Sequence, residues 1–204
     1  MDIAELLHPA RTALVLSECQ NGVLGNDAVF PELARAAAPI VPTIARLTKA
    51  ARAAGVPVIH CLALRRPDGM GSNTNARLFG AARKASVKLT PGSHAAAVLD
   101  AIGVTENDFV STRLHGLGPM AGTDLEPILR NLGARTIVCV GASVNVAITN
   151  LVMDAVNAGM HVVLPRDCIA GVPTSYADAV IENTLSLLAT VTTSDEVIAA
   201  WPSA

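Results

Sequence analysis

Residues 136–164 read TIVCVGASVNVAITNLVMDAVNAGMHVVL, and the fold follows from how this stretch divides. Thr136–Gly141 is a short apolar run rich in β-branched residues, which suits a strand covered on both faces. Asn145–Ala158 has the length of a helix and ends against Gly159, a helix stop. His161–Leu164 is a second short apolar strand. Strand, helix and strand in this order pair in parallel through a right-handed crossover.

The same alternation runs outward in both directions. Thr12–Leu16 (TALVL), Val56–Leu64, Asp108–Leu114 and Ala189–Thr193 read as further strands, and Val87–Leu89 as a brief one. Helices are expected over Glu32–Ala54, Ala76–Lys84, Ser93–Ala101, Thr123–Leu132, Tyr176–Leu188 and Asp195–Trp201. In the first of these Leu33, Ala37, Ile40, Ile44 and Leu47 recur at threes and fours, and Pro39 and Pro42 kink it or divide it in two. The fold class is α/β: a three-layer α/β/α sandwich around a six-stranded, mostly parallel, Rossmann-like sheet. With no linker, repeat or low-complexity tract, residues 1–204 are expected to form one domain.

Composition narrows the functions. Of 204 residues 51% are hydrophobic and 16% charged, enough for a sizeable core and unlike a disordered chain or a coiled coil. A net charge of −2 offers no footprint for nucleic acid or an anionic membrane. The apolar segments are all shorter than the ~20 residues of a membrane-spanning helix. The opening MDIAELLHPA has acids at Asp2 and Glu5 and no basic stretch, so a signal peptide is not expected. Cys19, Cys61, Cys139 and Cys168 are widely spaced with no C-x-x-C, which fits reduced thiols and a cytoplasmic protein. No His/Asp/Glu spacing resembles a metal site, and neither metal nor cofactor is assigned.

In parallel sheets ligands bind beyond the carboxyl ends of the strands, so the residues just after each strand are where chemistry is sought. Glu18 directly follows TALVLS; there a carboxylate can act as general acid or base, or simply cap a turn or pair with an arginine. Arg113 ends another strand and can hold Glu18, clamp a substrate carboxylate, or stand in solvent. His115 is a possible proton shuttle or an ordinary loop residue, and His60 reads as a core or rim histidine. Arg65 and Arg66 can recruit an anionic substrate or be plain loop arginines. Gly116–Ala121 (GLGPMA) matches a dinucleotide fingerprint on paper. Pro119 removes a donor and the following strand lacks the ribose-holding acid, so a glycine loop passing close to a ligand fits better. Ala142 and Ser143, before a helix starting near Asn145, lie where backbone amides can face an anion or oxyanion. Ser143 is otherwise an N-cap, since no G-x-S-x-G or triad surrounds it.

Taken in order, these segments resemble the isochorismatase-like hydrolase superfamily, also called cysteine hydrolases, which includes nicotinamidases, N-carbamoylsarcosine amidases and isochorismatases. ALVLSECQNGVL (13–24) resembles its opening strand, LTPGS (89–93) its L-x-P-G-[ST], and DFVSTR (108–113) with GTDL (122–125) its lysine strand and helix start. VGASVNVAITNLVMDAVNAGMHVVLPRDCIAG (140–171) resembles its nucleophile loop, helix and final strand. The likeness covers nearly the whole chain, but the family aspartate falls on Glu18, its lysine on Arg113 and its nucleophilic cysteine on Ala147. An alanine methyl forms no covalent acyl intermediate, so cysteine-type catalysis at that position is ruled out. The resemblance implies a small-molecule hydrolase using Glu18 as acid/base, or a silent binding module. It also implies Gln20, Asn21, His115 and Asn145 as substrate-binding groups, a cis peptide at Ala142–Ser143, and a homodimer or homotetramer.

Overall fold

The protein, seen here in a computed structural model that describes residues 2–201, is built on a parallel sheet. Its strands are β1 (Thr12–Ser17), β2 (Val58–Ala63), β3 (Phe109–Arg113), β4 (Thr136–Ala142), β5 (His161–Pro165), β6 (Ile169–Ala170) and β7 (Thr190–Thr192). They lie in the order β3-β2-β1-β4-β5-β7, with β6 paired to the end of β4. Helices α1 (Ile3–Leu6), α2 (Asn21–Leu24), α3 (Pro31–Ala37), α4 (Val41–Ala53), α5 (Arg77–Lys84), α6 (Leu125–Asn131), α7 (Thr149–Asn157), α8 (Thr174–Asn183) and α9 (Ser194–Ala199) complete the chain.

The central strands are covered on both faces, which is why they read as unbroken apolar runs. Leu14 and Leu16 of β1, with Val138 and Val140 of β4, point into a core that also holds Ile44, Leu47 and Trp201. Ala13 and Val15, with Ile137 and Cys139, point the other way into a core with Leu125, Leu129, Leu151 and Val152. A fully buried leucine or valine contributes roughly 1.5–3 kcal/mol, so these two layers carry the stability of the sheet. The indole N–H of Trp201 donates to the Leu7 carbonyl at 3.0 Å, tying the last described residue to the segment after α1.

Several expected boundaries shift for identifiable reasons. The long helix expected over Glu32–Ala54 is α3, a 3-10 turn at Ala38–Ile40 and α4, divided around Pro39 and Pro42. The helix expected over Ser93–Ala101 shrinks to a 3-10 turn at His94–Ala96. Its backbone is instead recruited by the β1 exit: Asn21 N–H donates to Ala97 and Leu99 N–H donates to Cys19. Val87–Leu89 is not a strand; Lys88 Nζ turns back onto the carbonyls of Arg83 and Ala85 at the end of α5. Two-residue β6 adds a seventh strand too short to leave a pattern.

The topology decides where a ligand can bind. From β1 the chain moves outward through β2 and β3, then returns to the other side of β1 at β4. The order therefore reverses between β1 and β4, and the crevice beyond their carboxyl ends is the switch point of the sheet. Register places Ser17 opposite Gly141 and Cys61, and Ala63 opposite Arg113, so the ends of β1 to β4 open onto one side.

Candidate active site

A cavity of about 720 Å³ occupies this crevice, and Glu18, Arg113, Ser143 and Ala147 line its buried part. Glu18 leaves β1 with φ +54°, a left-handed conformation uncommon outside glycine and one that collects at functional sites. That turn swings the side chain off the strand and into the cavity. There it accepts a hydrogen bond from Nη2 of Arg113, which also donates to the Leu117 carbonyl at 3.2 Å. The side chains of Arg113 and Glu18 are 5% and 17% exposed, so the ion pair is largely withdrawn from solvent. Nε and Nη1 of Arg113 are buried with no partner among the described residues.

On the other side of the crevice β4 ends in a tight approach to β1. Gly141 has φ +109°, and a Cβ there would lie 2.1 Å from the Ser17 carbonyl oxygen, so only glycine fits. Ser17 Oγ donates to the Ala142 carbonyl at 3.1 Å, and the Ala142–Ser143 peptide is cis, as the resemblance implies. The helix then opens with a π turn, Val144–Ile148, before α7. Ile148 N–H donates to the Ser143 carbonyl at 3.0 Å, which orients the first turn with Ala147 against the cavity. The leading amides of a helix have no intrahelical acceptor and attract negative charge.

The expected site residues divide. Glu18, Arg113, Ser143, Asn145, Ala147 and, at the exposed rim, His115 share the cavity. Asn145 Nδ2 donates to the Val172 carbonyl at 3.3 Å, while its buried Oδ1 has no partner among the described residues. Gln20 and Asn21, expected as substrate-binding groups, do not line the cavity. Gln20 is fully buried and bonded through its amide to Ala63 and Ala96, clamping the exits of β1 and β2. Asn21 Nδ2 is engaged by the His94 and Val98 carbonyls. Ala142 is buried off the cavity lining, leaving Ser143 as the half of the expected cradle that reaches it. Arg66 pairs with Asp68, whereas Arg65 lines the cavity. In the GLGPMA loop, Gly116 and Leu117 line the cavity, and Gly116 N–H donates to Asn73 Oδ1 at 2.9 Å.

No cysteine lines the cavity. All four thiols are free, buried and off the cavity lining. Burial pushes Cys61 up to about 12 and raises the other three as well, the opposite of what a reactive thiolate needs.

Sequence reasoning missed the walls. Phe30 and Leu33 from the α3 side, and Leu78, Phe79 and Ala82 from α5, line the cavity. Their periodicity is that of any amphipathic helix and carries no sign that the apolar side faces a void. Also missed was a buried network at the sheet edge, where Asp108 accepts from Arg52 (2.6 Å), the Thr105 N–H (2.8 Å) and pairs with His60 Nε2 (3.3 Å).

A doubly covered parallel sheet with a carboxylate–guanidinium pair at its switch point defines an α/β enzyme-like scaffold with its site at the strand ends. The family model for the isochorismatase domain matches residues 12–196, and the chain belongs to the isochorismatase family. Its fold is similar to that of a cysteine hydrolase from Pseudomonas syringae pv. phaseolicola. The TM-score is 0.82 at 25% identity, over 95% of this chain and 93% of that one. An isochorismatase family protein from Burkholderia thailandensis is similar at TM-score 0.77 and 28% identity, over 94% and 96% of the two chains. A stretch of 130 residues is 28% identical to the N-carbamoylsarcosine amidase of an Arthrobacter species. That match takes in 64% of this chain and 49% of the amidase, so the chain spans about half the length of this curated relative.

Proposed function

We propose that the protein is an isochorismatase-family hydrolase of a small metabolite that works without a cysteine nucleophile. The observation that carries this reading is the meeting of Glu18, Arg113 and the Ala147 methyl on one cavity. Glu18 is the general acid/base. In C–N bond hydrolysis its carboxylate takes a proton from a water, the water oxygen adds to the electrophilic carbon, and the proton passes to the departing nitrogen. For a vinyl ether the carboxyl group delivers a proton to the vinyl carbon, water adds to the resulting oxocarbenium ion and returns a proton to the carboxylate, and the hemiketal breaks its C–O bond to release a ketone and an alcohol. Arg113 cannot exchange a proton at working pH and holds the carboxylate in place. The amides at Ser143 and the start of the π turn face developing negative charge.

The test is a hydrolysis screen of isochorismate and small amides, repeated on four variants that each carry one of Cys19, Cys61, Cys139 and Cys168 changed to alanine. Turnover that survives in all four supports the reading, and turnover lost in a variant that melts with the wild type contradicts a thiol-independent route. A second reading, a silent binding module, draws support from the same Ala147. It is favoured if nothing is hydrolysed while a metabolite raises the melting temperature.

The same reading makes the chain one domain, supported by the span of the family match, and a cytoplasmic protein, supported by four free thiols. Assembly as a homodimer or homotetramer is part of it, and light scattering on the purified protein tests that directly.

A further inference from the structure

The hydrolytic chemistry uses only the buried end of the cavity, yet most of the remaining lining is apolar. Helix α5 (RLFGAARK) is the informative element. It is amphipathic, but not one of its eight residues is buried. Its apolar members Leu78, Phe79 and Ala82 line the cavity instead of packing into either core. Amphipathic helices are stabilised by burying the apolar stripe, so α5 lacks the packing such a helix normally has until something fills the space beside it. Phe30 and Leu33 line the same cavity from the α3 side. A volume of about 720 Å³ lies in the range of pockets that enclose drug-sized ligands, far more than a small polar amide occupies.

The charges add a second constraint. Arg35, Arg65, Lys88 and Arg113 line the cavity against two carboxylates, Glu18 and Glu32, although the chain as a whole carries −2. Arg113 is engaged by Glu18, and Lys88 by the α5 carbonyls. Arg35 and Arg65 form no ion pair with any described residue, and only Arg65 is partly withdrawn from solvent. In the loop that follows Arg65, the buried Ser72 Oγ lines the cavity without a partner among the described residues. A low-dielectric cleft lined with excess positive charge concentrates anions.

We propose that the cavity takes an amphipathic monoanion: an aromatic or branched apolar body against Phe30, Leu33, Leu78 and Phe79, with a carboxylate held by Arg65. The proposal rests on the reading of the Glu18 cavity as the substrate site, but not on hydrolysis there. Ligand entry gives α5 the apolar contact it lacks.

Isothermal titration with 4-phenylbutyrate, its neutral amide and the polar dianion malate separates the two halves of the claim. The expected result is binding of 4-phenylbutyrate, at least tenfold weaker binding of the amide, and no binding of malate. Phe79→Ser and Arg65→Ala each weaken 4-phenylbutyrate tenfold or more. Neither residue is buried in the free protein, so both variants should melt within a few degrees of the wild type, which the same samples verify. Equal affinity for acid and amide, binding of malate, or indifference to both substitutions overturns the proposal. If 4-phenylbutyrate binds with these dependences while nothing is hydrolysed, the hydrolase reading fails and this one stands. If small polar amides are hydrolysed while 4-phenylbutyrate neither binds nor inhibits, this one fails and the hydrolase reading stands.

Discussion

Removing the Glu18 carboxylate should be more damaging to stability than removing its cationic partner. In Glu18→Ala the Arg113 side chain, 5% exposed, loses its counter-ion and keeps one hydrogen bond, from Nη2 to the Leu117 carbonyl at 3.2 Å. Nε and Nη1 already lack partners among the described residues, and a guanidinium cannot discharge itself by losing a proton. An uncompensated buried charge costs about 3–5 kcal/mol. In a domain of this size that lowers the melting temperature by roughly 10 °C. Arg113→Met leaves a carboxylate that is 17% exposed at a cavity, where water can relieve it. We expect about half the cost, ~2 kcal/mol. The double variant loses both charges, so its cost should fall below the sum of the singles by about 2 kcal/mol. Urea unfolding of the four proteins at pH 7 measures the cycle. Additivity within ~0.5 kcal/mol, or a Glu18→Ala protein as stable as the wild type, refutes the coupled buried pair.

Four other outcomes follow from the structure. Asp108 is raised by its burial but lowered further by Arg52, the Thr105 N–H and His60, which together hold it at about 2 against an ordinary 3.8. A carboxylate depressed in this way contributes about 2 kcal/mol above pH 4 that disappears as the pH falls toward 2, so the stability gap between wild type and Asp108→Asn should close over that window. Burial lowers His60 below the usual histidine range despite Asp108. Its share of stability is therefore complete above pH 6.5 and declines below it, and His60→Gln should flatten that part of the urea-midpoint profile. Ala147→Cys adds a thiol that is itself buried but lines the cavity at a helix start, and Ellman's reagent entering the cavity should label it in native protein while the four cysteines off the lining stay silent. Gly141→Ala forces a Cβ to 2.1 Å from a backbone oxygen at φ +109°, and a loss of more than ~3 kcal/mol in urea unfolding is expected.

The legible parts of the molecule are those where one physical demand acts locally. β1 and β4 announce themselves because both of their faces are buried, leaving no polar residue to interrupt the run. Glu18 stands out because a charge directly after such a run has to end at the carboxyl edge of the sheet, and Arg113 because it closes a strand of its own. The amide of Gln20, which the resemblance implies as a substrate-binding group, satisfies backbone groups of two other segments, a tertiary fact with no local mark. The segment after Ser93 has helical composition, but pairing with the β1 exit overrides it. The positive φ at Glu18 and the void beside α5 are set by how distant elements meet. No spacing within either segment reports them.

Hydrolysis by the wild type and by Glu18→Gln, measured as kcat/KM on the best substrate of the screen, bears most directly on the central claim. Glutamine keeps the size of the side chain and an acceptor for Arg113 but cannot carry the proton. A fall of at least ~100-fold is expected, the scale of general acid–base catalysis, in a variant that still folds. A variant that turns over as fast as the wild type would contradict the assignment of Glu18 as the acid/base.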